Sequence, residues 1–169
     1  SDVYKRQIVY GDRSSDTVLK HVQLTDDSRA NKEEDDNVFY ACLEVISLLI
    51  FDDCPSIARL VAVTPKMKKA IKTIVRFNDF PISLIKDMKV VKAKNIEYGF
   101  LTAPYGTGTL YDAIKDNANS GKSFGIDFLL ETAFVLCRTL DCLCKAGSAQ
   151  FRDEFRCHMD LKPENVIIH

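Results

Sequence analysis

The sequence predicts an α+β fold, an antiparallel sheet with one long helix leading into a mainly helical portion. Apolar, β-branched runs of strand length cluster in the first hundred residues, around 7–10, 17–24, 57–63 and 98–102. Two longer segments, 38–51 and 126–146, repeat their apolar residues at the helical period instead. The first two runs flank a polar, glycine-containing connector, Gly11 to Asp16, which reads as a hairpin turn.

Taken in order, residues 17–24 place Val18, Lys20, Val22 and Leu24 on one face of a strand, with Leu19 on the other. Lys20 is the odd member of that face. By itself it reads as a lysine whose stem covers apolar surface while its ammonium reaches water. The polar stretch 26–37 leads into the first helix, where Glu33-Glu34-Asp35-Asp36 suits a helix N-terminus. Apolar residues at 39, 42, 43, 46, 49 and 50 define that helix, and Glu44 interrupts it. Asp52-Asp53-Cys54-Pro55 ends it, because the residue before a proline avoids the helical region.

Residues 66–94 carry nine Lys and Arg against two acids, a surplus of seven positive charges in a chain of net charge −1. The stretch reads either as a solvated basic insertion or as a docking surface for an acidic or phosphorylated partner. After the run at 98–102, Thr109-x-x-Asp112 has the spacing of a capping box opening a short helix. The strongest helix follows, apolar at 126, 129, 130, 133, 136, 137, 140, 143 and 144, with Gly147 as its expected stop. Ser148 to Arg156 reads as a polar connector, and Val166-Ile167-Ile168 as a short strand.

The composition, 46% hydrophobic and 28% charged over 169 residues, is that of an ordinary globular chain. The near-zero net charge gives no global field for nucleic acid, and no apolar run is long enough to span a membrane. The six cysteines lack the C-x₂-C spacing of zinc sites and read as reduced, mostly buried thiols. Residues 1–7 resemble the translation of a sequencing-library adaptor and are set aside as a non-native leader.

Chemistry concentrates in Cys157-His158-Met159-Asp160-Leu161-Lys162-Pro163-Glu164-Asn165. An acid, a lysine and a carboxamide in one short stretch suit phosphoryl transfer, which needs a group to orient a hydroxyl, a cation for the migrating charge and an oxygen for a divalent metal. The segment resembles the catalytic loop of eukaryotic protein kinases, His-Arg-Asp with Asn five residues after the Asp. Lys162-Pro163-Glu164-Asn165 is similar to the serine/threonine version. The resemblance spans about 8–169 and implies a two-lobed kinase-like fold, incomplete here. Residues 8–102 would form part of the N-lobe, without its glycine-rich loop and with the basic insertion 66–94. Residues 103–169 would form the hinge and the start of the C-lobe.

The resemblance also implies roles. Val18-Leu19-Lys20 is similar to the strand whose lysine contacts the ATP α/β-phosphates, and Glu44 to that lysine's ion-pair partner, which replaces the surface reading of Lys20. Thr102 to Leu110 resembles the hinge, with Thr102 beside the adenine pocket, backbone groups of Ala103 and Tyr105 bonding the purine, and Val18 and Ile167 enclosing the ring. Leu48, Leu60 and His158 match members of the apolar spine. Asp160 is expected as catalytic base, Lys162 on the γ-phosphoryl group and Asn165 on Mg²⁺, so ATP and Mg²⁺ are the implied ligands. The implied activity is phosphorylation of a protein Ser or Thr, in the cytoplasm or nucleus. Met159 replaces the usual Arg, so an arginine–phosphate switch is not expected. No Asp-Phe-Gly occurs in the sequence, and the chain by itself is expected to be inactive and marginally stable. The competing expectation is a pseudokinase, a nucleotide-binding or scaffold module that keeps the fold without turnover.

Overall fold

A computed structural model describes residues 7–24, 31–150 and 161–168. The architecture is α+β, with a four-stranded antiparallel sheet and four α-helices among the described residues. The chain divides into two compact units, one drawn from Ser1–Asp52 and Ala58–Tyr105, the other from Asp53–Ile57 and Gly106–His169.

The first unit holds the sheet. β1 (Gln7–Asp12) and β2 (Thr17–Val22) form the expected hairpin, closed by a turn at 13–16. β3 (Arg59–Val63) and β4 (Gly99–Ala103) complete the sheet in the order β1-β2-β4-β3, so β4 pairs with both β2 and β3. The connection from β2 to β3 is α1 (Asn31–Ile50), whose start at Asn31 places the acidic run 33–36 in its first two turns. Ala41, Cys42, Val45 and Ile46 are all at most 1% exposed and pack with Val22, Val63 and Phe100 of the sheet. The buried face is thus turned slightly from the expected one, since Phe39 is 44% exposed.

The basic segment is not a solvated insertion. Pro65–Phe77 forms a 13-residue helix, α2, with Pro65 at its start, where a missing N–H costs nothing. Met67, Ile71 and Val75, spaced four apart, are fully buried in the same core as α1, and Ile85 and Met88 follow them. The rest of the segment is tied down by backbone bonds from Val63 N to Lys89 O and from Val91 N to Val63 O, both 2.9 Å. Its lysines mask an amphipathic pattern: Met67, Ile71 and Val75 recur every fourth residue, with Lys68, Lys69 and Lys72 among the positions between. Thr64, fully buried, joins α2 to the sheet by donating to Glu97 O at 2.6 Å and accepting from Gly99 N at 3.1 Å.

The second unit contains β5 (Gly108–Thr109), α3 (Leu110–Ser120), α4 (Ile126–Gln150) and β6 (Ile167–Ile168), with β5 and β6 paired antiparallel. The expected capping box is formed: Thr109 Oγ1 accepts from Asp112 N, and the Asp112 carboxylate accepts from Thr109 N, both at 3.1 Å. The Thr109 hydroxyl, then its amide, hold the Asp112 carboxyl below its ordinary value of 3.8. Gly121 closes α3 with a left-handed φ of 65°. Gly147, by contrast, does not stop α4, which continues to Gln150. A glycine ends a helix when the following chain supplies the left-handed cap, and here helical bonds persist through it. The expected connector therefore begins no earlier than residue 151, outside the described residues. Much of the apolar stripe of α4 is open, with Ile126, Leu129, Leu130 and Phe134 between 48% and 66% exposed. Among the described residues no helix is long and apolar enough to cross a membrane.

The cysteines depart from expectation. Cys54, before Pro55 in the α1–β3 connector, forms a disulfide with Cys142 of α4, 88 residues away. Thr139, one helical turn before Cys142, donates to Pro55 O at 3.3 Å, so the same face of α4 meets the connector twice. A loop of that length gives a cross-link worth on the order of 4 kcal/mol on chain-entropy grounds. Cys137 and Cys144 are exposed rather than buried. Cys42 is fully buried, donates to Met67 Sδ at 3.4 Å, and burial pushes its thiol up to about 12.

Two outcomes follow. Iodoacetamide at pH 8, read by peptide mass spectrometry, will label Cys137 in the native chain. Cys42 will react only after unfolding, and Cys54 and Cys142 only after reduction. In an NMR titration the Asp112 carboxyl will have its midpoint below 3.8, and Thr109→Ala will move it upward. Because the folded value is the lower one, the capping contribution is complete above pH 3.8 and fades as pH falls through the folded value.

Candidate functional site

Six of the residues singled out by sequence lie in the first unit. β2 and β4 run antiparallel with Val18 opposite Thr102 and Lys20 opposite Phe100, so all four share one face of the sheet. That face is the one α1 covers. Turning Cys42, Val45 and Ile46 into the core leaves Glu44 on the flank of α1, and its Oε1 accepts from Lys20 Nζ at 2.6 Å. The pair is about 30% exposed on each side, and Lys20 Nζ also lies 5.9 Å from the Phe100 ring centroid. A half-buried lysine on an apolar face is thus balanced by carboxylate and ring quadrupole together. Gly99 lets β2 approach: a Cβ there would stand 3.1 Å from Lys20 O and 2.9 Å from Ile96.

Thr102 is 5% exposed in the central strand, flanked by Val18 and Leu60. Ala103 ends β4, and the Ala103–Pro104 peptide is cis. The Tyr105 amide, expected to face a purine, instead donates to Asp16 Oδ1 at 2.9 Å and Asp16 O at 3.2 Å. The β1–β2 turn is folded onto this linker by further contacts: Arg13 Cζ lies 5.8 Å from the Tyr105 ring centroid, and a Cβ on Gly11 would collide with that ring. Asp16 has φ of 54°, a left-handed turn conformation that aspartate tolerates. Asp16 and Gly11 were not singled out by sequence. Both had read as turn residues, and nothing local signalled that the turn has a partner 89 residues on.

The remaining candidates belong to the second unit. Pro163–Asn165 is a single 3₁₀ turn, with Asn165 N donating to Lys162 O at 2.9 Å, so Lys162 and Asn165 bracket one short turn, both exposed. β6 follows at once, with Ile167 opposite Thr109, and a Cβ on Gly106 would collide with Ile167. Leu110 N donates to Val166 O at 2.8 Å, which ties the turn to the start of α3. Asp160, His158 and Met159 lie outside the described residues. Among the described residues no three His, Cys, Asp or Glu side chains gather into a metal-binding group. Asn165 offers one amide oxygen, a donor type that suits a hard cation.

Comparison with protein-family models, curated proteins and solved structures returns no match for this chain.

The Lys20–Glu44 contact has a measurable consequence. In a double-mutant cycle by urea unfolding, Lys20→Met and Glu44→Gln will couple by about 1–2 kcal/mol, the range for a charge-assisted bond that is partly desolvated. A coupling near zero would show that the pair is solvent-screened and positions nothing.

Proposed function

We propose that the chain is part of an ATP-dependent protein serine/threonine kinase. The observation that carries this reading is the Lys20–Glu44 ion pair between β2 and α1. Two charges each misplaced in an apolar pattern, 24 residues apart, meet at 2.6 Å. They do so on the face of the sheet that also carries Val18 and Thr102. Support also comes from the Asp160-Leu161-Lys162-Pro163-Glu164-Asn165 string, whose described part forms a tight turn that presents Lys162 and Asn165 at its two ends.

In this reading Lys20, held by Glu44, grips the α/β-phosphates of ATP. Asp160 accepts the proton of the substrate Ser or Thr hydroxyl, and Lys162 offsets the charge on the transferring phosphoryl group. Asn165 would offer one amide oxygen to Mg²⁺, which when bound would offset phosphate charge. Catalysis of this type is mostly positioning and charge stabilisation, work to which fixed cations and one acid are suited.

One observation favours a second reading, a scaffold module without turnover. The Tyr105 amide is already taken by Asp16, so a purine using that donor must displace the aspartate. The two readings separate in one pair of measurements. Binding of a fluorescent ATP analogue to the chain will weaken about tenfold in Lys20→Met and strengthen in Asp16→Ala. In the intact protein, Asp160→Asn will abolish transfer of labelled phosphate to a generic Ser/Thr substrate without changing nucleotide affinity. Transfer by the wild type selects the kinase, whereas nucleotide binding without transfer, or no binding at all, removes the kinase reading and leaves the scaffold.

A further inference from the structure

We propose that the outward face of α2, together with Tyr98, is a docking site for a phosphorylated acidic segment of a partner protein. The inference does not depend on the nucleotide reading and uses none of its residues.

Burial of Met67, Ile71 and Val75 determines which way α2 faces, and the opposite side carries Lys66, Lys69, Lys72, Thr73 and Arg76, all exposed. The helix contains no acid. Lys68 and Lys72, and Lys72 and Arg76, stand at i,i+4, where like charges repel and destabilise a helix. Lys68 relieves part of this by donating to Met88 O at 2.9 Å. The rest persists on a surface where acids at alternate positions would have removed it. A bound anion is the natural counter-charge.

The face is also shaped. Lys66, Lys69, Ala70, Thr73 and Tyr98 line a concavity of ≈ 310 Å³, at the small end for a ligand site. Two ammonium groups, a hydroxyl and a phenol around a shallow bowl match a phosphate monoester, which accepts several charge-assisted bonds at once. Lys66 is held at one wall by Glu97 at 2.7 Å and lies 6.0 Å from the Tyr98 ring centroid. Glu97 is thus a resident carboxylate that an incoming dianion must outcompete. At the far end Phe77 is 85% exposed and Ile82 65%, which gives apolar anchorage beside the charge.

The chemistry favours a protein segment over a bilayer. An interfacial helix inserts its apolar face into lipid, and here that face is already used by the core. A bowl also suits a single protruding phosphoryl group better than a flat headgroup plane.

The test is fluorescence anisotropy with the whole chain at low salt, using a labelled peptide in which phosphoserine is flanked by Asp and Glu. The phosphopeptide is expected to bind at least about tenfold more tightly than the same peptide with serine. Lys69→Glu should weaken it about tenfold or more and Lys69→Arg should retain it. Glu97→Gln should strengthen it by freeing Lys66, and Lys122→Glu in the second unit should leave it unchanged. Circular dichroism confirms that Lys69→Glu is folded. If it is not, the Glu97→Gln and Lys69→Arg arms decide. The proposal is overturned by an absence of binding, by affinity indifferent to phosphorylation or to Lys69→Glu and Glu97→Gln, or by preference for phosphatidylserine vesicles over the peptide.

Discussion

The burial of one helix face against the sheet is the constraint on which the first unit depends. Ala41, Cys42, Val45 and Ile46 of α1 meet Val22, Val63 and Phe100, and each large side chain removed from water contributes about 1.5–3 kcal/mol. The Lys20–Glu44 contact, at about 1–2 kcal/mol, is smaller than these burial terms together. The apolar contact therefore decides the rotation of α1 about its axis, and the rotation decides where Glu44 emerges. It emerges over β2, where Lys20 is already directed by strand alternation. The same core receives Met67, Ile71 and Val75, so α2 must present its cations to solvent. The ion pair and the basic face are both by-products of a single packing solution.

The chain is close to neutral, yet its charge is segregated. Seven surplus positive charges sit between residues 66 and 94, and the rest of the chain is correspondingly acidic. Within the first unit the two cationic features differ in character. Lys20 is half-buried, bonded to a carboxylate and set over a ring, so its position is determined. Lys66, Lys69 and Lys72 of α2 are exposed and crowded, a surface suited to an outside partner. A lysine that must hold a nucleotide needs the first environment, and recognition of a mobile acidic segment needs the second. The link at Tyr105 is a third case: a backbone donor satisfied by a turn aspartate that was not expected to reach it.

Much of the candidate site was legible because its signals are local violations of pattern. Lys20 breaks the apolar face of a strand and Glu44 breaks an apolar helix, and a shared explanation is more economical than two separate ones. The Thr109-x-x-Asp112 cap was legible because both partners lie within one turn. What stayed hidden had its partner far away or its pattern masked. In α2 the period-four apolar residues are outnumbered by lysines, so the segment read as solvated. Gly147 had the identity of a helix stop but lacked the left-handed cap that makes one, as Gly121 has.

Alone, the sequence determined the order of the four sheet strands and of α1, α3 and α4, the charges that fall on the wrong faces and the short caps and turns, since these follow from spacings within a turn or two of chain. It also contained the Asp160 to Asn165 string entire, because those six residues are contiguous. Only the tertiary structure decided that Lys20 and Glu44 touch, that Cys54 meets Cys142, that Asp16 takes the Tyr105 amide and that α2 turns its cations outward. Each of these joins residues from separate elements or depends on which side of a helix the core accepts. The deciding term is the apolar burial that aligns the elements, and no short window of sequence contains both surfaces it brings together.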